Sequence, residues 1–155
     1  MLTPKGPLFI VSKKPRSFDF QAKAKTHIQA TRLTLISTAD SACLAFDSAG
    51  TVWSFCYERP PGGFSALARF LAHTFYNPVS RVSITWAKVR PYDFEELSQH
   101  YLAAIADDDD VLTQFVERDE LCARVRACST FAEMVATWRW QNTDTAFDDQ
   151  PKKST

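Results

Sequence analysis

Glycine is scarce in this chain. Only Gly6, Gly50, Gly62 and Gly63 occur among 155 residues, so neither a phosphate-cradling loop nor a dinucleotide fingerprint can be assembled, since each needs glycines at fixed spacing. Histidine is rarer still: His27, His73 and His100 stand far apart, which excludes a zinc site built from sequence-local ligands. No apolar run approaches the ~18 residues of a membrane span, and the first, Leu8-Phe9-Ile10-Val11, is also too short for the apolar region of a signal peptide. A soluble, cytosolic protein is expected. The four cysteines, Cys43, Cys56, Cys122 and Cys128, are too few for a disulfide scaffold and fit no zinc-ribbon spacing. Free and mostly buried thiols are expected.

Net charge is missing as well, but by cancellation. Residues 1–92 carry 12 Lys and Arg against 4 Asp and Glu, and residues 93–155 carry 6 against 14. The formal charge of zero is thus an excess of eight positive charges offset by eight negative ones. A field of one sign over half a small protein steers charged macromolecules. Binding is therefore favoured over chemistry as the function.

Aromatic residues are plentiful, with 12 Phe, 4 Trp and 4 Tyr, enough for a dense core within a single domain over residues 1–142. Residues 18–25 alternate apolar and polar, which predicts a strand with Phe18, Phe20, Ala22 and Ala24 inward and Asp19, Gln21, Lys23 and Lys25 outward. Residues 32–37 read as a further strand. Residues 41–47 and 51–58 flank Asp47-Ser48-Ala49-Gly50, a hairpin with a type I turn closed by a left-handed Gly50. Pairing Asp47 with Thr51 sets Cys43 across from Phe55 and Cys56 across from Ala42, on opposite faces of the ribbon, so those two thiols cannot bridge.

Pro60-Pro61-Gly62-Gly63 breaks the sheet, and Phe64, Leu67, Leu71 and Phe75 then follow helical spacing up to Asn77-Pro78. Residues 81–89 return to a period of two, with Val82, Ile84 and Trp86 on one face. From Asp93 the period becomes 3.6. Asp93 and Glu96 form a capping box before Phe94, Leu97, Tyr101 and Ile105, and Val111, Leu112, Phe115 and Val116 predict a short helix. Leu121 and Val125 mark another short turn or helix. Thr130 and Glu133 cap the last one, whose stripe is Phe131, Met134, Val135 and Trp138. The polar tail, residues 143–155, is expected to be disordered. Strands first and helices afterwards define an α+β domain: a mainly antiparallel sheet of about five or six strands with one inserted helix and a C-terminal helical layer on one face.

Two charged constellations stand out. Lys13, Lys14, Arg16, Lys23, Lys25 and Arg32 form a basic stretch that could track phosphates, yet Phe18 and Phe20 lie on the strand face opposite Lys23 and Lys25. Lysines that guard a sheet edge explain the same pattern. The other is Asp107, Asp108, Asp109 and Asp110, followed by Glu117, Asp119 and Glu120. Capping uses one or two carboxylates, and the remainder suit a cationic partner. A calcium loop is excluded, because the EF-hand spacing and its glycine are missing. A thiol–histidine pair such as Cys56 or Cys43 with His73 can be drawn, but any chain with these counts permits one.

No catalytic residue, metal or cofactor is expected. The leading expectation is a non-enzymatic domain whose acidic helical surface meets a basic protein. Small inhibitors of nucleic-acid-cleaving toxins, the immunity type, work in this way, an analogy of charge and size only. The alternative is a nucleic-acid-binding accessory protein that uses the basic sheet, and a third possibility is a small enzyme with an unrecognised site.

Overall fold

A computed structural model of the chain describes residues 2–13, 16–37, 43–58, 62–108 and 111–142. The chain divides into two compact units, Met1–Leu97 and Ser98–Thr155. The expected disordered tail, residues 143–155, lies outside the described residues.

The first unit is a six-stranded antiparallel sheet: β1 (Leu8–Lys13), β2 (Arg16–Gln21), β3 (His27–Thr31), β4 (Cys43–Asp47), β5 (Thr51–Tyr57) and β6 (Val79–Pro91), in the order β2-β1-β4-β5-β6-β3. Helix α1 (Arg32–Ser37) is inserted between β3 and β4, and α2 (Ala66–Thr74) between β5 and β6. The α+β class expected from the sequence is therefore present, with two inserted helices rather than one. The central strands are buried on both faces. Leu8, Ala45 and Trp53 pack with Ile84 and Trp86 on one; Phe9, Phe46 and Val52, also buried, alternate with them on the other.

The β4–β5 hairpin has the expected register, Leu44 opposite Ser54 and Phe46 opposite Val52. The Gly50 N–H closes the turn on the Asp47 carbonyl at 3.2 Å, and Gly50 has φ +80°, a conformation that a side chain would strain. β6 is long enough for two partners. Its first half pairs with β3 and its second with β5, across an irregularity at Val52/Trp53.

Two readings of this unit are corrected. The strand at residues 18–25 ends at Gln21, because bends follow in which Lys23 and Lys25 are exposed. There the chain passes so close to Gly6 that a Cβ on Gly6 would lie 2.6 Å from the Ala22 carbonyl oxygen. Residues 32–37 form helix α1, not a strand. Thr31 starts that helix by accepting the Thr34 N–H at 3.2 Å, and the Leu33 N–H, left without a helical partner, donates to Asn77 Oδ1 at 2.9 Å. Local alternation of Leu33 and Leu35 thus lost to a side-chain cap and a tertiary hydrogen bond.

Helix α3 (Phe94–Ala106) begins in the first unit, with the Asp93 carboxylate accepting the Glu96 N–H at 2.8 Å and Arg90 gripping the Glu96 carboxylate through its two terminal guanidinium nitrogens. The second unit holds the rest of α3 with α4 (Arg118–Ala127) and α5 (Phe131–Gln141). Its core is Tyr101, Ile105, Leu121, Val125 and Met134, all fully buried. The Tyr101 hydroxyl donates to Gln141 Oε1 in that interior, and burial pushes the phenol well above its ordinary range, with the Cys128 thiol adding to the shift. Thr130 and Glu133 form the expected capping box on α5.

The helix expected over Val111, Leu112, Phe115 and Val116 is absent. Residues 111–116 form a series of bends, with Leu112 buried and Val111 and Phe115 exposed. Asp108 explains the difference. Its carboxylate accepts the N–H groups of Val111, Leu112 and Thr113 at 2.9–3.0 Å and the Thr113 hydroxyl at 2.9 Å. A helix cap takes up the N–H two or three residues on, whereas this carboxylate also gathers the donors four and five residues on, which ties the segment into bends.

Candidate functional site

The seven carboxylates expected to meet a partner do not form one cluster. Asp108 is taken up as the organiser of the bends. Burial alone would raise its pKa, but the hydrogen bonds from Leu112, Thr113 and Val111 outweigh that and hold the carboxyl below its ordinary value. Asp107 is exposed just after α3. Asp109 and Asp110 lie outside the described residues. Glu117, Asp119 and Glu120 are exposed around the start of α4, where the positive end of the helix dipole favours them.

Glu117 and Glu120 do share a cavity. A cleft of about 410 Å³ is lined by Thr113, Gln114, Phe115, Val116, Glu117, Glu120 and Trp140. It arises from three local features. The bends organised by Asp108 carry Phe115 outward, 61% exposed. Glu117 and Glu120 stand three residues apart at the start of α4, hence on one face. Trp140 arrives from the end of α5, half-buried, with the Arg124 guanidinium 3.7 Å over its ring. Arg124 in turn pairs with Glu120 at 3.3 Å. Arg124 therefore links two lining residues, Glu120 and Trp140, while Glu117 and Phe115 supply a charge and an apolar surface beside them. Phe115 and Trp140 were not among the expected binding residues. The break in helical pattern at Asp108 was the available signal for the first, and the polar surroundings of Trp140 in Arg139-Trp140-Gln141-Asn142 for the second.

A second cleft, about 300 Å³, is lined by Arg124, Ala127, Cys128, Glu133, Ala136 and Thr137. Its thiol donates to the Arg124 carbonyl at 3.2 Å and lies 3.3 Å from the Thr137 hydroxyl, so its proton is directed to an acceptor that cannot remove it. Among the described residues no group of three or more His, Cys, Asp or Glu side chains is placed to hold a metal ion, and no helix is long and apolar enough to cross a membrane.

The basic set is also dispersed. Arg16 is exposed on β2, Lys23 and Lys25 lie in the bends after it, and Lys14 is outside the described residues, as is the side chain of Lys13. Arg32 is placed over a ring, its guanidinium 5.3 Å from the Tyr76 centroid. Compared with known proteins, the chain matches no family model, no curated protein and no solved structure.

Proposed function

We propose that this chain is a non-enzymatic protein-binding module, an inhibitor of the immunity type, that engages a cationic, nuclease-like partner at the Phe115–Glu117–Glu120–Trp140 cleft. The observation that supports this reading is the composition of the cleft: two aromatic side chains, one of them largely exposed, bordered by carboxylates. Interfaces draw most of their affinity from a few aromatic or Arg anchors seated in pockets. Charges at the rim add speed and selectivity of encounter. Here Phe115 would insert between apolar groups of the partner, and Glu117, Asp119 and Glu120 would attract a surface built to hold phosphates. Arg124 keeps Trp140 and Glu120 in register, so little side-chain freedom is lost on binding.

The test is affinity for the partner recovered on the immobilised wild-type protein, measured at low and high salt. Glu117→Lys with Glu120→Lys should lower the association rate by about 10-fold or more and flatten its salt dependence. Phe115→Ala should accelerate dissociation by about 30-fold, the range of an anchor residue. Wild-type affinity in both variants would reject the cleft as the contact surface.

A further inference from the structure

Helix α2 turns its apolar side chains outward. Of its nine residues only Ala72 is buried, while Leu67 and Phe70 are exposed. At about 100° per residue, Phe70 occupies the centre of the outward face, with Leu67 and Thr74 on one flank and Arg69 and His73 on the other. Phe75 and Tyr76 follow directly after the helix and are exposed as well. Phe75 is 80% exposed, Phe70 61% and Tyr76 53%. Three such rings within seven residues are not ordinary surface.

Their setting is cationic. Arg69 stands on the flank of Phe70, and neither residues 62–80 nor residues 20–37, which include α1, contain an Asp or Glu. Arg32 and Tyr76 already share a surface, guanidinium over ring. The turn that carries the rings is clamped: the Phe75 and Tyr76 N–H groups both donate to the Leu71 carbonyl, at 3.1 and 2.9 Å, and the Arg32 N–H donates to the Pro78 carbonyl at 3.0 Å. The Asn77 side chain, fastened to Leu33, holds the same turn to α1.

We propose that this α1–α2 face binds single-stranded nucleic acid, with bases stacked on Phe70, Phe75 and Tyr76 and phosphates held by Arg32 and Arg69. Ring faces next to positive charge are what an unpaired strand offers partners for, since every base has a π-face and every linkage a negative charge. A duplex does not fit, because its bases are stacked on one another. An acidic polypeptide fits less well, for a protein-docking face keeps charge to the rim of an apolar centre, whereas Arg69 and Arg32 stand beside the rings here. The proposal is independent of the cleft in the other unit.

The probe is a fluorescein-labelled oligothymidylate of about 20 nucleotides, long enough to span the face, with anisotropy followed on the full chain at several salt concentrations. Phe75→Ala and Tyr76→Ala should each lower affinity about 10-fold or more, the scale of one lost stacking contact. Arg69→Gln should reduce the slope of log affinity against log salt by about 0.7, one phosphate on a single strand. Phe75 is exposed, and an unchanged melting temperature will confirm that its variant is folded. No binding at low salt, binding indifferent to both ring substitutions, or displacement by polyglutamate as effective as by unlabelled oligothymidylate would each overturn the proposal, the last by identifying an acidic polypeptide as the ligand.

Discussion

The indole N–H of Trp53 donates to the carboxylate of Asp47 at 2.8 Å, and Asp47 is 2% exposed. The same carboxylate accepts the N–H groups of Ala49 at 3.0 Å and Thr51 at 2.8 Å, while the Asp47 carbonyl accepts the Tyr92 hydroxyl at 2.8 Å. One aspartate thus closes the hairpin turn, fixes the tryptophan of the sheet core and holds the end of β6. Asp47→Ala would leave these three donors, and the Lys5 N–H that reaches the same carboxylate at 3.4 Å, without their acceptor in a largely buried place, each costing about 1 to 3 kcal/mol. A loss of about 3 kcal/mol or more is expected in urea unfolding. Asp47→Asn should cost less, because its remaining carbonyl oxygen can still close the turn. Equal losses for the two would mean that charge, not acceptor count, carries the effect.

The hairpin register also decides thiol reactivity. Cys56 is exposed on β5, whereas Cys43 is half-buried at the start of β4 opposite Ser12 of β1, and all four cysteines are free. In the folded protein Cys56 should react first with a thiol reagent, Cys43, Cys122 and Cys128 more slowly, and four groups should titrate after denaturation without reductant. A count of two would contradict the register.

That register was legible because Asp47-Ser48-Ala49-Gly50 encodes its own turn: a residue tolerant of positive φ at the end and a carboxylate at the start that caps the N–H groups of the loop. The capping box of α5 was legible for the same reason, with both partners within four residues. Helix α1 was not, since its entry depends on Asn77 and Pro78, far away in sequence. The outward face of α2 was hidden too. Phe64, Leu67, Leu71 and Phe75 have the spacing of a core stripe, and nothing local shows that Leu67 and Phe75 remain exposed. The candidate cleft was half legible: its carboxylates could be named, but the bend that brings Phe115 to them depends on Asp108 taking up four donors at once.

Acid should weaken the helical unit through two carboxylates. Asp108 is held below its ordinary value as described, and Glu133 is held down first by the Ser129 N–H and hydroxyl and then by Thr130. Both pKa values are lower in the folded state than in the unfolded chain, so their contribution is complete above the unfolded values and disappears as pH falls through the folded ones. The stability difference between wild type and Asp108→Asn should therefore be constant above about pH 5 and shrink below about pH 4. A difference that widens in acid would reverse the assignment.

The two tryptophans of α5 separate folding from binding. The sequence places Trp138 on the buried stripe and Trp140 outside it, and full burial of Trp138 would make its removal cost about 3 to 5 kcal/mol. In the structure both are half-buried, and the buried line of the helix runs through Met134, Val135, Thr137 and Gln141. Trp138 still packs on the core phenol, its ring 5.9 Å from that of Tyr101, whereas Trp140 lies under Arg124 at the wall of the cleft. Partial burial scales the cost down: about 2 kcal/mol is expected for Trp138→Ala and about 1 kcal/mol for Trp140→Ala, the latter chiefly the lost cation–π and apolar contact. Removing Trp140 also releases Arg124 from its stack, and with it the geometry of Glu120. Trp140→Ala should consequently weaken partner binding more than Trp138→Ala does, although it unfolds less easily, and Trp140→Phe should restore part of the affinity. Unfolding and binding measured on the same three variants decide the matter. If Trp140→Ala is the more destabilising and the weaker effect on binding belongs to it, the cleft wall is part of the fold's support and not the contact surface.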